Sequence, residues 1–118
     1  MAVKYKQNLE AKISRKMKGF LEQHIGERPK AVKTQILGDT IIVRFRGISP
    51  PAERNMSRSY EGARTIKELK DKIITDARPL LENLIQKITK LEVADVHSSF
   101  DIKTDERIEI FTLASDLE

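Results

Sequence analysis

A chain of 118 residues with 39% hydrophobic and 34% charged residues has the make-up of one globular domain, residues 1–118, rather than of a disordered segment. The absence of cysteine removes disulfides, thiolate metal sites and thiol catalysis. The net charge of +4 hides a polarity: residues 1–36 hold nine Lys/Arg against three Asp/Glu, whereas residues 91–118 hold two against eight. Such opposite ends pair within one fold or between two copies. The opening "MAVKYKQNLEAK" has no apolar leader-like run, and the apolar runs, such as Ile41-Ile42-Val43, are far too short to span a bilayer. Direct membrane insertion is therefore not expected, and a cytoplasmic location is.

The first element reads as a helix. Leu9, Ile13, Met17, Phe20, Leu21 and Ile25 recur at spacings of three and four and make one apolar stripe. Lys12, Arg15, Lys16 and Lys18 lie off it. Gly26 suits a left-handed cap, and Pro29 bars continuation. Gly19, inside the helix, costs about 1 kcal/mol relative to Ala unless it lets another backbone approach.

A hairpin follows. Val32, Thr34 and Ile36 alternate with Lys33 and Gln35; the chain turns at Gly38-Asp39; Ile41, Val43 and Phe45 then alternate with Ile42, Arg44 and Arg46. Next, "ISPPAERNMSRSYEGAR" gives a short helix opened by Pro51 and ending near Tyr60 to Gly62. A longer helix carries the stripe Ile66, Leu69, Ile73, Ala77, Leu80, Leu84 and Ile88. Pro79 inside it removes a backbone hydrogen bond, and a bend near Thr75 to Arg78 is expected. Val93 to Phe100 and Arg107 to Leu113 form a closing hairpin across "DIKTDE".

The element order is αββαββ. Two such units predict an α+β two-layer sandwich, in which a four-stranded, largely antiparallel sheet carries its helices on one face. The other face would then be open, with Arg44, Arg46, Asp95, His97, Arg107 and Glu109 on it, beside apolar Ile42, Phe111 and Leu113. A mixed face of this kind suits a homodimer or a protein partner; its alternative is an ordinary solvated sheet face.

Signatures of chemistry are sparse. His97, near Asp95 and Asp101, lacks the second positioned group that proton transfer or a metal site requires. The acids of "HSSFDIKTDERIE" lack the glycine-centred spacing of a calcium loop, and the five glycines form no phosphate loop. No catalytic residue, metal or cofactor is expected. A nucleic-acid-binding regulator is the alternative function, with Lys12, Arg15, Lys16 and Lys18 tracking phosphates. Aromatic residues make up only 5% of the chain, so a base-stacking set is missing.

Three features carry a family resemblance that runs from about Leu9 to Leu113. They are the Gly-x-x-Pro step from Gly26 to Pro29, the strand that ends before Ser49-Pro50-Pro51-Ala52-Glu53, and the closing hairpin with its Phe-x-Leu ending at Phe111 to Leu113. In these the chain resembles the MpsC-like family of small prokaryotic proteins, named for a sodium-translocating, membrane-potential-generating system. It departs at the short helix, where Pro50 takes the place of a Ser or Thr that could cap with Glu53. The resemblance implies a non-catalytic, soluble interaction or regulatory domain, an accessory of a membrane system for sodium translocation or bicarbonate uptake. It implies no catalytic residues. Pro50 and Pro51 would fix the crossing from sheet to helix layer and leave Arg44 and Arg46 exposed beside it to meet a partner, such as a membrane ion-transport subunit.

Overall fold

The computed structural model describes residues 2–117. Helix α1 (Val3–Phe20) runs without a break into a π-wound turn, Leu21–Ile25. The wider turn closes with Gly26 N–H on the Leu21 carbonyl at 2.8 Å, and Gly26 takes φ 81°, a left-handed conformation that suits glycine. The chain then swings inward, burying Glu27 and Pro29 before strand β1 (Ala31–Leu37). A two-residue turn leads to β2 (Thr40–Arg46).

Helix α2 (Pro51–Met56) has Pro50 at its N-cap and Pro51 in its first turn, and no side chain caps it. It ends at Met56, earlier than the sequence suggests. Gly62 instead lies in the first turn of α3 (Tyr60–Thr89), which Ser59 caps by accepting the Gly62 N–H at 3.0 Å. Helix α3 continues through Pro79. The carbonyl that Pro79 cannot satisfy belongs to Thr75, on the exposed side of the helix where water can reach it. Strands β3 (Val93–Asp101) and β4 (Glu106–Leu113) complete the chain.

The four strands form one sheet in the order β1-β2-β4-β3, antiparallel at every junction. The two hairpins therefore lie side by side, joined along a central β2–β4 seam. One face of the sheet is covered. Ile13, Met17 and Leu21 from the first helix meet Ile36, Ile41, Val43 and Phe45 from the first hairpin. Ile66, Ile74, Leu81 and Ile85 of α3 complete that core with Val96, Phe100, Phe111 and Leu113. This is the expected α+β two-layer arrangement.

Two expected faces need correction. On β4 the inward residues are Arg107, Glu109, Phe111 and Leu113, all buried, while Ile108 and Ile110 point to the open side. Alternation alone cannot tell these two sets apart, because each contains apolar residues. The covered set holds the larger apolar pair, Phe111 and Leu113, and its two charges find partners inside. On α3 the buried seam is Ile66, Lys70, Ile74, Ala77, Leu81 and Ile85, and Leu69 and Leu80 are exposed. A lysine thus sits in the middle of the core-facing stripe. Gly19 admits no close backbone; the space where its Cβ would stand is open.

Both outer strands have polar groups tied down by side chains. On β1 the Ile36 N–H donates to Glu10 Oε2 of α1 at 2.8 Å. On β3 the Val96 N–H donates to Asp95 Oδ1 at 2.9 Å, and the Val96 carbonyl accepts from Arg78 of α3. These contacts occupy backbone groups that an added strand would need.

Candidate functional site

Strand register places the uncovered face in four rungs across β1, β2, β4 and β3. They are Ala31–Arg46–Glu106–Asp101, Lys33–Arg44–Ile108–Ser99, Gln35–Ile42–Ile110–His97 and Leu37–Thr40–Thr112–Asp95. At the centre stand Ile42, Ile108 and Ile110, each only half-buried. Leu37, at one corner, is 58% exposed.

The charges on this face are segregated. Lys33, Arg44 and Arg46 occupy the β1–β2 half, and Asp95, Asp101 and Glu106 the β3–β4 half. Across the seam Arg44 donates through Nη2 to Glu106 Oε1 at 3.1 Å, and Arg46 through Nε to Oε2 at 3.2 Å. One carboxylate therefore serves two guanidinium groups, whose side chains stay 39% and 61% exposed. Lys33, Arg44 and Arg46 line a shallow cavity of about 210 Å³ with Ala31. His97 Nε2 lies 2.9 Å from Asp95 Oδ2 at the other edge.

Directly beneath this face is a cluster that the sequence pattern does not announce. Glu27, delivered by the π-wound turn, accepts Arg107 Nε at 3.0 Å and Nη2 at 2.8 Å, and Lys70 Nζ at 3.0 Å. Lys70 Nζ also makes an ion pair with Glu53 Oε1 of α2 at 2.8 Å, without the angles of a directed hydrogen bond. Both cations lie over the Phe100 ring, at 5.3 Å for Lys70 and 6.0 Å for Arg107. Glu109 accepts a hydrogen bond from Ser98, and its other oxygen lies 3.7 Å from Arg107 Nη1, too far to bond. Burial pushes the Glu109 carboxyl up from 4.5 to about 7; Ser98 and Arg107 pull it down and Glu27 adds to the rise. Lys70 and Arg107 balance Glu27 and Glu53, so a proton on Glu109 leaves the cluster neutral.

Of the site residues expected from sequence, Ile42, Arg44, Arg46 and His97 come together on the open face. Arg107 and Glu109 do not: they face the helices, where Arg107 ties the π-wound turn to the sheet through Glu27 and Glu109 bonds Ser98 of β3. Lys12, Arg15, Lys16 and Lys18 are exposed on α1, in the layer on the opposite side of the sheet, and none of them makes an ion pair among the described residues. Arg15 and Lys16 border an open depression with Phe20, His24 and Leu84. Sequence reasoning missed Glu27, Glu53 and Lys70. The available signal was Lys70 at four residues from both Ile66 and Ile74, in register with the true buried seam. Among the described residues no His, Cys, Asp and Glu are grouped to hold a metal ion, and no helix is long and apolar enough to cross a membrane.

These features define a two-layer α+β domain with one bare, charge-segregated sheet face and an ion-pair cluster in place of part of its core. The chain belongs to the MpsC family, described as "Na+-translocating membrane potential-generating system (MpsC)", which matches residues 5–115. It is also similar to the Bacillus subtilis protein YbcI, described as uncharacterized, with 35% identity over 115 residues that cover 98% of this chain and 93% of the relative. No solved structure matches it significantly.

Proposed function

We propose that this chain is a non-catalytic accessory domain of a membrane system that translocates sodium, and that it acts by docking through its uncovered sheet face. The observation that carries this reading is the face itself. Its centre is apolar, with Ile42, Ile108 and Ile110 half-buried, and charged side chains rim it. That is the anatomy of a protein interface rather than of a ligand cleft. Polar groups of both outer strands are already engaged, which favours the face over strand addition. The family description supplies the membrane system. The domain would work on the cytoplasmic side and reach the membrane through its partner.

The test is co-sedimentation with membrane vesicles that carry the sodium-translocating system, against vesicles that lack it. The chain is expected to pellet only with the former, and Arg44→Glu with Arg46→Glu to stay in the supernatant. Equal pelleting of the double variant overturns the reading.

A second reading, a nucleic-acid-binding regulator, draws on the exposed cations Lys12, Arg15, Lys16 and Lys18 of α1, which make no ion pair among the described residues. Its test is a gel shift at low salt, which is abolished when these four are changed to glutamine. No retardation of the unmodified chain eliminates it.

A further inference from the structure

We infer that the occupant of the open sheet face is a second copy of this chain, related by a two-fold axis that runs parallel to the strands above the β2–β4 seam. This rests on the reading of that face as a docking surface and names what covers it in the free chain; the membrane partner would displace the second copy from it.

Strand order carries the geometry. In β1-β2-β4-β3 the seam between β2 and β4 is the midline of the sheet. Two sheets stacked face to face can be related by a two-fold axis lying between them. An axis along the strands lays β1 over the second copy's β3 and β2 over its β4. An axis across the strands lays each strand over its own counterpart.

Charge chooses between the two. The β1–β2 half carries Lys33, Arg44 and Arg46 and no acid; the β3–β4 half carries Asp95, Asp101 and Glu106. Along the strands, every cationic half lies on an acidic one. Across the strands, the rungs are reversed: Arg46 lies on Thr40, Arg44 on Ile42, Lys33 on Gln35 and Asp101 on Asp95, so no cation meets an acid and two acids face each other.

On the central strands the rungs then match side chain to side chain. Ile42 lies over the second copy's Ile110, and the stem of Arg44 over its Ile108. Thr40 meets Thr112, and Arg46 meets Glu106, so each Arg46–Glu106 bridge joins its twin. The isoleucines of both copies form a dry centre, with the charges at its rim. The usual angle of about 30° between packed sheets shifts the corners and leaves this centre in place.

The chain contains no cysteine, so introduced thiols report without background. Lys33 and Ser99 stand at opposite edges of one sheet, three strand spacings or about 14 Å apart. In the proposed dimer Lys33 faces the second copy's Ser99 across about 10 Å, while two Lys33 residues are about 17 Å apart. Chains carrying Lys33→Cys are mixed with chains carrying Ser99→Cys and treated with a short bis-maleimide. Cross-linked dimer is expected from the mixture and not from either variant alone. Sedimentation equilibrium of the unmodified chain is expected to show a dimer, and Ile110→Asp to weaken it by about tenfold or more, as a 1.4 kcal/mol loss would.

A strictly monomeric chain overturns the inference. So does a dimer in which either variant alone links as fully as the mixture, or in which the mixture does not link. If the chain is monomeric while Arg44→Glu with Arg46→Glu still abolishes vesicle binding, the docking face stands and its occupant is another protein. If the double variant alters neither dimerisation nor vesicle binding, both readings fall.

Discussion

Arg107 closes on Glu27 in a two-pronged grip, Nε to Oε1 at 3.0 Å and Nη2 to Oε2 at 2.8 Å, between residues 80 positions apart. Both side chains are almost wholly shielded from water. The pair fastens the end of the first helix to the last strand, and Lys70 brings the long helix to the same carboxylate. Desolvating such charges is costly, so each must keep its partners.

Removing the shared acid should therefore be severe. Glu27→Gln leaves Lys70 and Arg107 buried with only Glu53 and Glu109 to answer them, and is expected to cost about 3–5 kcal/mol. Glu106→Gln breaks pairs whose arginines are 39% and 61% exposed, and is expected to cost no more than about 1 kcal/mol. Urea unfolding followed by far-ultraviolet circular dichroism measures both. Equal midpoints for the two variants would mean that the cluster is not a fastening.

Glu109 sets a pH dependence of defined sign. Its folded-state pKa of about 7 lies above the ordinary 4.5, so the folded chain holds the proton more tightly than the unfolded one. The stability this contributes is complete below about pH 4.5 and is lost as pH rises through 7. The loss is on the order of 3 kcal/mol. Glu109→Gln, which keeps the shape and cannot ionise, should flatten this fall and exceed the unmodified chain in stability at pH 8. A variant that falls with pH as steeply as the unmodified chain contradicts the assignment.

Two glycines should respond in opposite directions to alanine. At Gly19 nothing stands within 4 Å of the added methyl, and the helix gains about 0.5–1 kcal/mol from a better helix former. At Gly62 the methyl would lie 1.8 Å from the Met56 carbonyl oxygen, so the α2–α3 corner must open. Gly62→Ala is expected to lower the melting temperature by several degrees, in keeping with a loss of about 1–3 kcal/mol. Thermal melts of the two variants check the contrast.

Element order and the two-layer architecture were legible because they rest on period and punctuation. The stripe from Leu9 to Ile25, the Gly38-Asp39 turn and the paired alternations each point one way. The inner side of β4 was not legible. Ile108, Ile110 and Thr112 look as fit for a core as Phe111 and Leu113, and charged Arg107 and Glu109 weigh against the true answer until Glu27 is known to lie opposite. Helix α3 poses the same problem, since Leu69, Ile73, Leu80 and Leu84 form a rival stripe free of charge. Ion pairs between residues 43 and 80 positions apart leave no local trace. Arg44, Arg46, Ile42 and His97 were placed correctly because β2 and β3 each have one plainly apolar side.

The arrangement of the strands also orders the making of the molecule. Each hairpin closes over a short connection, two residues in one and four in the other, whereas the central seam joins Arg46 to Glu106 across 60. Closing that long span costs the most chain entropy and is rewarded only when it is complete. The halves are thus expected to take shape early, and their union to be the slow step, with amides along the junction gaining protection from exchange after those within either ribbon. A chain cut free of its second half would leave Ile13, Met17 and Leu21 against the first ribbon but strip away α3 and the second ribbon, which complete that interior.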